Sequence, residues 1–177
     1  LGSTTNLVIT AIPAAPGGST VTNGSACHMA SGVVTSFETA APAMGVVTAK
    51  FDAQVSDRFD IGRTMYGPAA VRNTTIAGTA IDSGIVAGTT RGGVSHFHIT
   101  AQGGAGLTSV TLKTQHSALN LGSWADVHTF TSTSTGANRT SSTGTILRYV
   151  RGTISAVSGT TPAVKVVVAF ARRGVAI

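Results

Sequence analysis

Nine stretches of this chain either alternate apolar with polar residues or run through Val, Ile and Thr, and each is closed by Gly, Pro, Asn or Ser. None shows the three-to-four-residue apolar spacing of a helix, so the pattern restricts the chain to an all-β architecture. The expected strands are 6–12, 27–37, 45–55, 74–85, 94–100, 109–116, 126–131, 145–153 and 163–171. Turns or loops are expected at 13–19, 103–106, 134–138 and 158–162. The last strand is the clearest. Its alternation sends Val164, Val166, Val168 and Phe170 to a core and Lys165 the other way. In 146–153, Leu147 and Tyr149 fall opposite Arg148 and Val150, which puts at least one of Arg148 and Arg151 on each face. An edge or an interface is expected there.

A composition shift over 63–73, with Gly67 and Pro68, predicts a linker. It divides the chain into 1–70, with about three strands, and 71–177, with enough strands for an Ig-like β-sandwich. Three strands do not make an independent core. The first part is therefore expected to be the later portion of a domain whose start lies upstream. The opening residue, Leu1 rather than Met, points the same way.

Composition limits the functions open to the chain. Of 177 residues, 42% are hydrophobic, so a core is available, but only 10% are charged, against about 25% in an ordinary domain. Thr, Ser and Gly carry the polarity instead. A surface so poor in charge is expected to be covered by neighbouring subunits. The net charge of +6 is spread from Lys50 to Arg173, without the basic face and interleaved aromatics of a nucleic-acid reader. The single cysteine, Cys27, excludes an internal disulfide and a cysteine zinc site, and is expected to be a small buried apolar residue. Neither a membrane-length apolar run nor a secretory signal pattern is present.

The residue types for chemistry sit mainly in 109–130. His116, Ser117, Asp126 and His128 are the types a hydrolytic triad uses. Ser117, however, lacks the Gly-x-Ser-x-Gly setting and a glycine-rich oxyanion loop. Asp126 and His128, two residues apart, are expected merely to share a strand face. The preferred reading is a strand, a loop carrying Trp124 as a lid on the sandwich edge, and a second strand. His96 and His98 also fall on one side of a strand, as a metal site would want, but no third ligand is evident. With Phe97 and Ile99 taking the core side, these histidines are expected on the outer face, solvated or at an interface. The carboxylates are Glu38, Asp52, Asp57, Asp60, Asp82 and Asp126, and Asp57 and Asp60 around Arg58 are expected to dress a turn. No catalytic, cofactor or metal residue is assigned, and the chain is not expected to be an enzyme.

The segments Val94–Ala101, Leu112–Ser117, Ser123–Thr131, Ile146–Arg151 and Ile154–Arg173 resemble the C-terminal β-sandwich of structural proteins of tailed bacteriophages, especially tail tube (major tail) proteins, over roughly residues 80 to 173. Upstream, Ser31–Phe37 and Met44–Ala53 look like late strands of the tube domain: a strand, a kink and a returning strand. The resemblance implies a non-enzymatic virion subunit, assembled in the bacterial host cytoplasm, that forms a symmetric homo-oligomer with itself and contacts other virion proteins. Stacked rings of such subunits pass DNA during ejection without reading it, and no membrane is involved. Since tube lumens usually carry negative potential, a basic chain of this kind is expected to turn its arginines outward or pair them between rings. Two alternatives accompany this expectation. One is a capsid decoration or cement protein. The other is a carbohydrate-binding surface domain with Trp124 and Tyr149 as stacking platforms.

Overall fold

In a computed structural model of the chain, the described residues are 7–13, 21–40, 48–55, 58–67, 71–84, 91–104 and 106–174; side chains at 34–40, 48–51 and 53 are not described. Twelve strands occur in chain order: β1 (Leu7–Ala11), β2 (Ala26–Ala40), β3 (Thr48–Val55), β4 (Asp60–Tyr66), β5 (Ile76–Ala77), β6 (Ile81–Asp82), β7 (Gly93–Gly103), β8 (Leu107–Ser117), β9 (Ala125–Ser132), β10 (Gly136–Ser142), β11 (Tyr149–Gly159) and β12 (Ala163–Arg172). The fold is all-β, as the alternation predicts.

The strands form two antiparallel sheets. The larger has the order β1-β2-β4-β12-β7-β10, with β3 attached to β2. It curls until β1 lies against β10 and β7, a nearly closed barrel. The smaller has the order β5-β11-β8-β9, with β6 attached to β11. Between the sheets lies the main core: Phe97, Ile99, Val164, Val166, Val168 and Phe170 from the larger sheet, and Val110, Leu112, Val150 and Ile154 from the smaller. Phe97 stacks on Phe130, ring centroids 5.9 Å apart. A second, smaller core of Cys27, Met29, Val94, Ala169 and Ala171 fills the inside of the curled sheet.

β12 is where these cores meet. Val164, Val166, Val168 and Phe170 face the sandwich, as expected, and Lys165 is exposed. The opposite face, which alternation alone would leave to solvent, is buried through Val167, Ala169 and Ala171. β12 also has hydrogen-bonded neighbours on both edges, β4 and β7. A strand closed off on four sides needs apolar residues on both faces, and Val166–Ala171 is such an uninterrupted run.

The strands depart from the expected pattern in four places. Residues 63–66, read as linker, belong to β4, which pairs with β2 on one side and β12 on the other. The larger sheet therefore runs across the division expected at residue 70, and strands from before and after it share one ladder. β10 replaces part of the loop expected at 134–138. Its sequence, GANRTSS, has almost no apolar signal, because its ladder is supplied by β7. The expected strand at 74–85 is two short pieces, β5 and β6, both on β11. The edge expected at Arg148 and Arg151 does not exist: β11 is paired on both sides, and Arg148 lies just ahead of it.

β2 is the longest strand, at 15 residues. Its first part pairs with β4 at Ala26–Met29 and with β1 at His28–Gly32. From Val33 to Ala40 its partner among the described residues is β3. Gly32 sits where β1, β2 and β3 converge; a Cβ there would lie 2.1 Å from the Gln54 carbonyl oxygen. Beyond it the two strands continue as a ribbon of eight residues, Val33 to Ala40 on β2, roughly 27 Å long at the usual rise per residue.

Val168 is fully buried at the centre of the main core. Val168→Asp places an unpaired carboxylate there, and the expected loss is about 4 kcal/mol or more. Soluble expression and a urea melt check this; near-normal expression would remove Val168 from the core.

Candidate functional site

The side chains that carry chemistry fall into three groups, one per layer of the fold. The first lies inside the curled sheet. Alternation on β7 puts Val94, His96 and His98 on the face away from Phe97 and Ile99, but this face is the barrel interior rather than solvent. That corrects the outward placement expected for His96 and His98. His96 is 0% exposed. β1 closes over both rings: Thr10 Oγ1 lies 3.0 Å from His96 Nδ1 and 2.8 Å from His98 Nε2. Arg139 of β10 stands opposite His96 in the ladder and approaches the buried Asp60 at 3.7 Å. Asp60 also meets Arg58 at 3.1 Å; Asp57 lies outside the described residues. Burial, with the nearby His98 and Arg139 charges, pushes the His96 pKa down to about 3, and burial lowers His98 as well. Among the described residues, no three His, Cys, Asp or Glu side chains are grouped so as to hold a metal ion. Cys27 is buried as expected. Burial raises its thiol to about 11, against smaller opposing hydrogen bonds from Gly62 and Thr64.

The second group lies between the sheets. Ser95 Oγ is 2.7 Å from His128 Nδ1 and 2.8 Å from Thr114 Oγ1. This hydroxyl–imidazole contact is what a nucleophile and its base would make. It is sealed, however, with Ser95 and Thr114 at 0% and His128 at 5% exposure, and no carboxylate among the described residues orients the ring. Burial lowers the His128 pKa to about 4. The pairing of Ser95 with His128 was not read from the sequence. The signal for it was core parity: Ser95 has the same parity as Phe97 and Ile99.

The third group lies on the outer face of the smaller sheet. A register shift between β8 and β9 at Thr114/Gln115 separates Asp126 from His128. The bulge turns Asp126 outward and His128 inward, which corrects the expectation that they share a face. Asp126 accepts hydrogen bonds from Lys113 Nζ at 2.6 Å and Gln115 Nε2 at 2.8 Å. Burial opposes the ionised form, but these bonds win and hold the carboxyl below its usual range. Gln115 Oε1 in turn accepts from Arg151 and Thr153. His116 accepts from the Leu147 amide, and Ser117 bonds within its own loop, to Gly122 and Leu119. The four triad-type residues thus have four separate sets of partners.

Neither expected stacking platform is open on both faces. The Arg151 guanidinium lies 4.2 Å from the centre of the Trp124 ring, and Arg148 lies 5.2 Å from that of Tyr149. Arg148 also grips Asp82 through two hydrogen bonds of 2.8 and 2.7 Å, which hold that carboxyl down to about 2. Arg172 donates to the carbonyls of Ile146, Leu147 and Arg148. Much of the positive charge is therefore engaged within the chain. Among the described residues, no helix is long and apolar enough to cross a membrane.

Compared with protein-family models, with curated proteins and with solved structures, the chain gives no match.

The buried histidines set a pH dependence. Their folded pKa values lie below the usual 6.5, so the unfolded chain binds protons first as pH falls. The stability held by the neutral rings is complete above about pH 6.5 and is lost progressively toward pH 4 and below. A urea midpoint is expected to begin falling between pH 6.5 and 5, where carboxylates are still ionised. The ring resonances of His96 and His128 are expected not to titrate over that interval. A flat midpoint from pH 7 to 4.5 would contradict the burial of these rings.

Proposed function

We propose that this chain is a structural subunit of a tailed-bacteriophage virion that assembles with copies of itself, and that its place is the tail tube. The observation that carries this reading is the ribbon formed by β2 and β3 beyond Gly32. A two-stranded ribbon is marginal in water by itself, because its outer edges present unpaired N–H and C=O groups. A neighbouring copy that added a strand to either edge would satisfy those groups. Repeating that addition around an axis would close ribbons into a continuous wall, which removes free edges altogether. The first strand and the returning strand that resemble a tube domain in sequence are β2 and β3, and the kink between them lies outside the described residues.

Three further features support a packing role over a chemical one. Charged residues are few, the barrel interior is filled by side chains of the chain itself, and the triad-type residues have separate partners. The same surface poverty in charge favours subunit contact over a solvated exterior.

Replacing residues 34–53 with a two-residue Asn-Gly turn removes the ribbon while leaving the pairings of β2 with β1 and β4. The shortened protein is expected to keep the circular dichroism of the parent and to lose hollow rings or tubes in negative-stain images. Rings formed equally well without the ribbon would overturn the proposal, as would a parent protein that forms no assembly and instead decorates capsids. His116→Ala, on a half-buried ring away from the ribbon, is expected to leave assembly unchanged.

A further inference from the structure

β1 is the shortest strand of the larger sheet, at five residues, and it stands at the end of the strand order. Among the described residues its ladder is with β2 alone. Its other edge comes up to β10 and β7 without a ladder. What ties it across that seam is a pair of imidazoles. Thr10 Oγ1 meets His96 Nδ1 at 3.0 Å and His98 Nε2 at 2.8 Å, and the Ile9 backbone also hydrogen-bonds the His96 ring.

One hydroxyl serves both rings because the rings are neutral. It donates its proton to the nitrogen of one and accepts the N–H of the other. Once both rings are protonated, neither nitrogen accepts, and the hydroxyl proton loses its partner. The two charges also repel, since the ring centroids are only 6.2 Å apart.

The groups that face the pair do not offset this. Arg139 of β10 stands opposite His96 in the ladder, and Asp60 of β4 is shared between Arg139 and Arg58. β2 presents Cys27, whose thiol stays protonated, while His28 lies on the other face of β2, against Phe59. β12 sets Val167 and Ala169 beside the rings, and β1 has no titratable side chain. Among the described residues, the fixed charge here is two guanidiniums against one carboxylate, so a proton on either ring adds to a positive excess. His96 is fully buried and His98 half-buried, so solvent reaches the pair from the His98 end.

Register shows what β1 covers. Gly32 pairs with Leu7 on one edge and with Val55 on the other. β1 therefore lies along the edge of β2 that runs on, past Gly32, as the side of the ribbon away from β3. If β1 leaves, that open edge extends back to His28.

We propose that β1 is an acid-released clasp: neutral His96 and His98 hold it shut through Thr10, and protonation of the pair frees it from β7 and β2. The sign follows from burial, which lowers both rings below their usual 6.5 while β1 is closed. The open form takes up protons first, so the clasp is fully held above about pH 6.5 and weakens as the pH falls. The clasp does not depend on the self-assembly proposed above; within that assembly, the lengthened edge is one more site for a neighbour's strand.

Amide hydrogen exchange on the full chain, corrected for the intrinsic rate at each pH, tests the clasp. Between pH 7 and 5.5, protection of the β1 amides is expected to fall roughly tenfold for each ring that becomes protonated on opening. At both pH values the β12 amides are expected to remain far better protected, because exposing them requires both cores to open. Thr10→Val, which removes the shared hydroxyl, is expected to lower β1 protection about tenfold at pH 7. His96→Gln combined with His98→Gln is expected to make β1 protection independent of pH. If that double variant does not fold, His98→Gln alone, at the half-buried ring, is expected to remove about tenfold of the fall. Protection of β1 that stays flat from pH 7 to 5 would overturn the clasp. So would a single protection factor shared by β1 and β12 at every pH, or a fall that survives in full in the glutamine variants.

Discussion

β12 has no free side. Its edges are paired to β4 and β7, one face packs into the sandwich and the other into the barrel. Every other element takes its position from this strand. β7 carries β10 on its far edge, and β4 carries β2, which carries β1 and β3. The smaller sheet lies on Val164, Val166, Val168 and Phe170. Two cores that share one strand cannot melt independently, because unpairing β12 opens both. Composition shifts near residue 70, and the chain on either side contributes rungs to one ladder.

The strands legible in the sequence were those whose own side chains do the burying. The segments 94–100, 109–116 and 163–171 alternate bulky apolar residues with polar ones and appear as β7, β8 and β12. β4 and β10 were hidden for a common reason. β10 lacks bulky apolar residues, β4 carries Met65 and Tyr66 side by side rather than in alternation, and each is held by partners already in place: β10 by β7, and β4 by β2 and β12. In β4, Gly62 looks like a turn residue, yet a Cβ there would lie 2.5 Å from the Phe170 carbonyl oxygen, so the glycine is the condition for close pairing. Local pattern records what a residue buries and not what is built against it.

The same limit explains the histidines. Parity correctly set His96 and His98 opposite Phe97 and Ile99, but parity does not say whether the second face meets water or β1. Asp126 and His128 failed differently: a single bulge reverses parity, and no residue in Ala125–Thr129 announces one. Once inside, the imidazoles are kept neutral by burial and satisfied in part by hydroxyls, Thr10 for His96 and His98, and Ser95 for His128. A chain that uses Thr and Ser for most of its polarity can place such partners almost anywhere. It does so without the desolvation cost that paired buried charges would bring. Among the described residues, the buried carboxylate of Asp60 in β4 meets Arg58 at 3.1 Å and Arg139 of β10 at 3.7 Å.

The scarcity of charge then acts on the outside. Natural sheets guard free edges with lysines, prolines or bulges. The ribbon of β2 and β3 has one bulge, between Val34 and Ser36, and otherwise a regular ladder from Gly32 to Ala40. Free edges of such a ladder are the kind that further strands add to, and in the assembly proposed above the added edge is that of an identical chain. A net charge of +6 does not hold copies apart at long range, since repulsion beyond about 10 Å is screened at ordinary salt, and it acts only where basic residues come close. In the self-assembly proposed above, edge pairing between copies is therefore limited by encounter rather than by long-range repulsion.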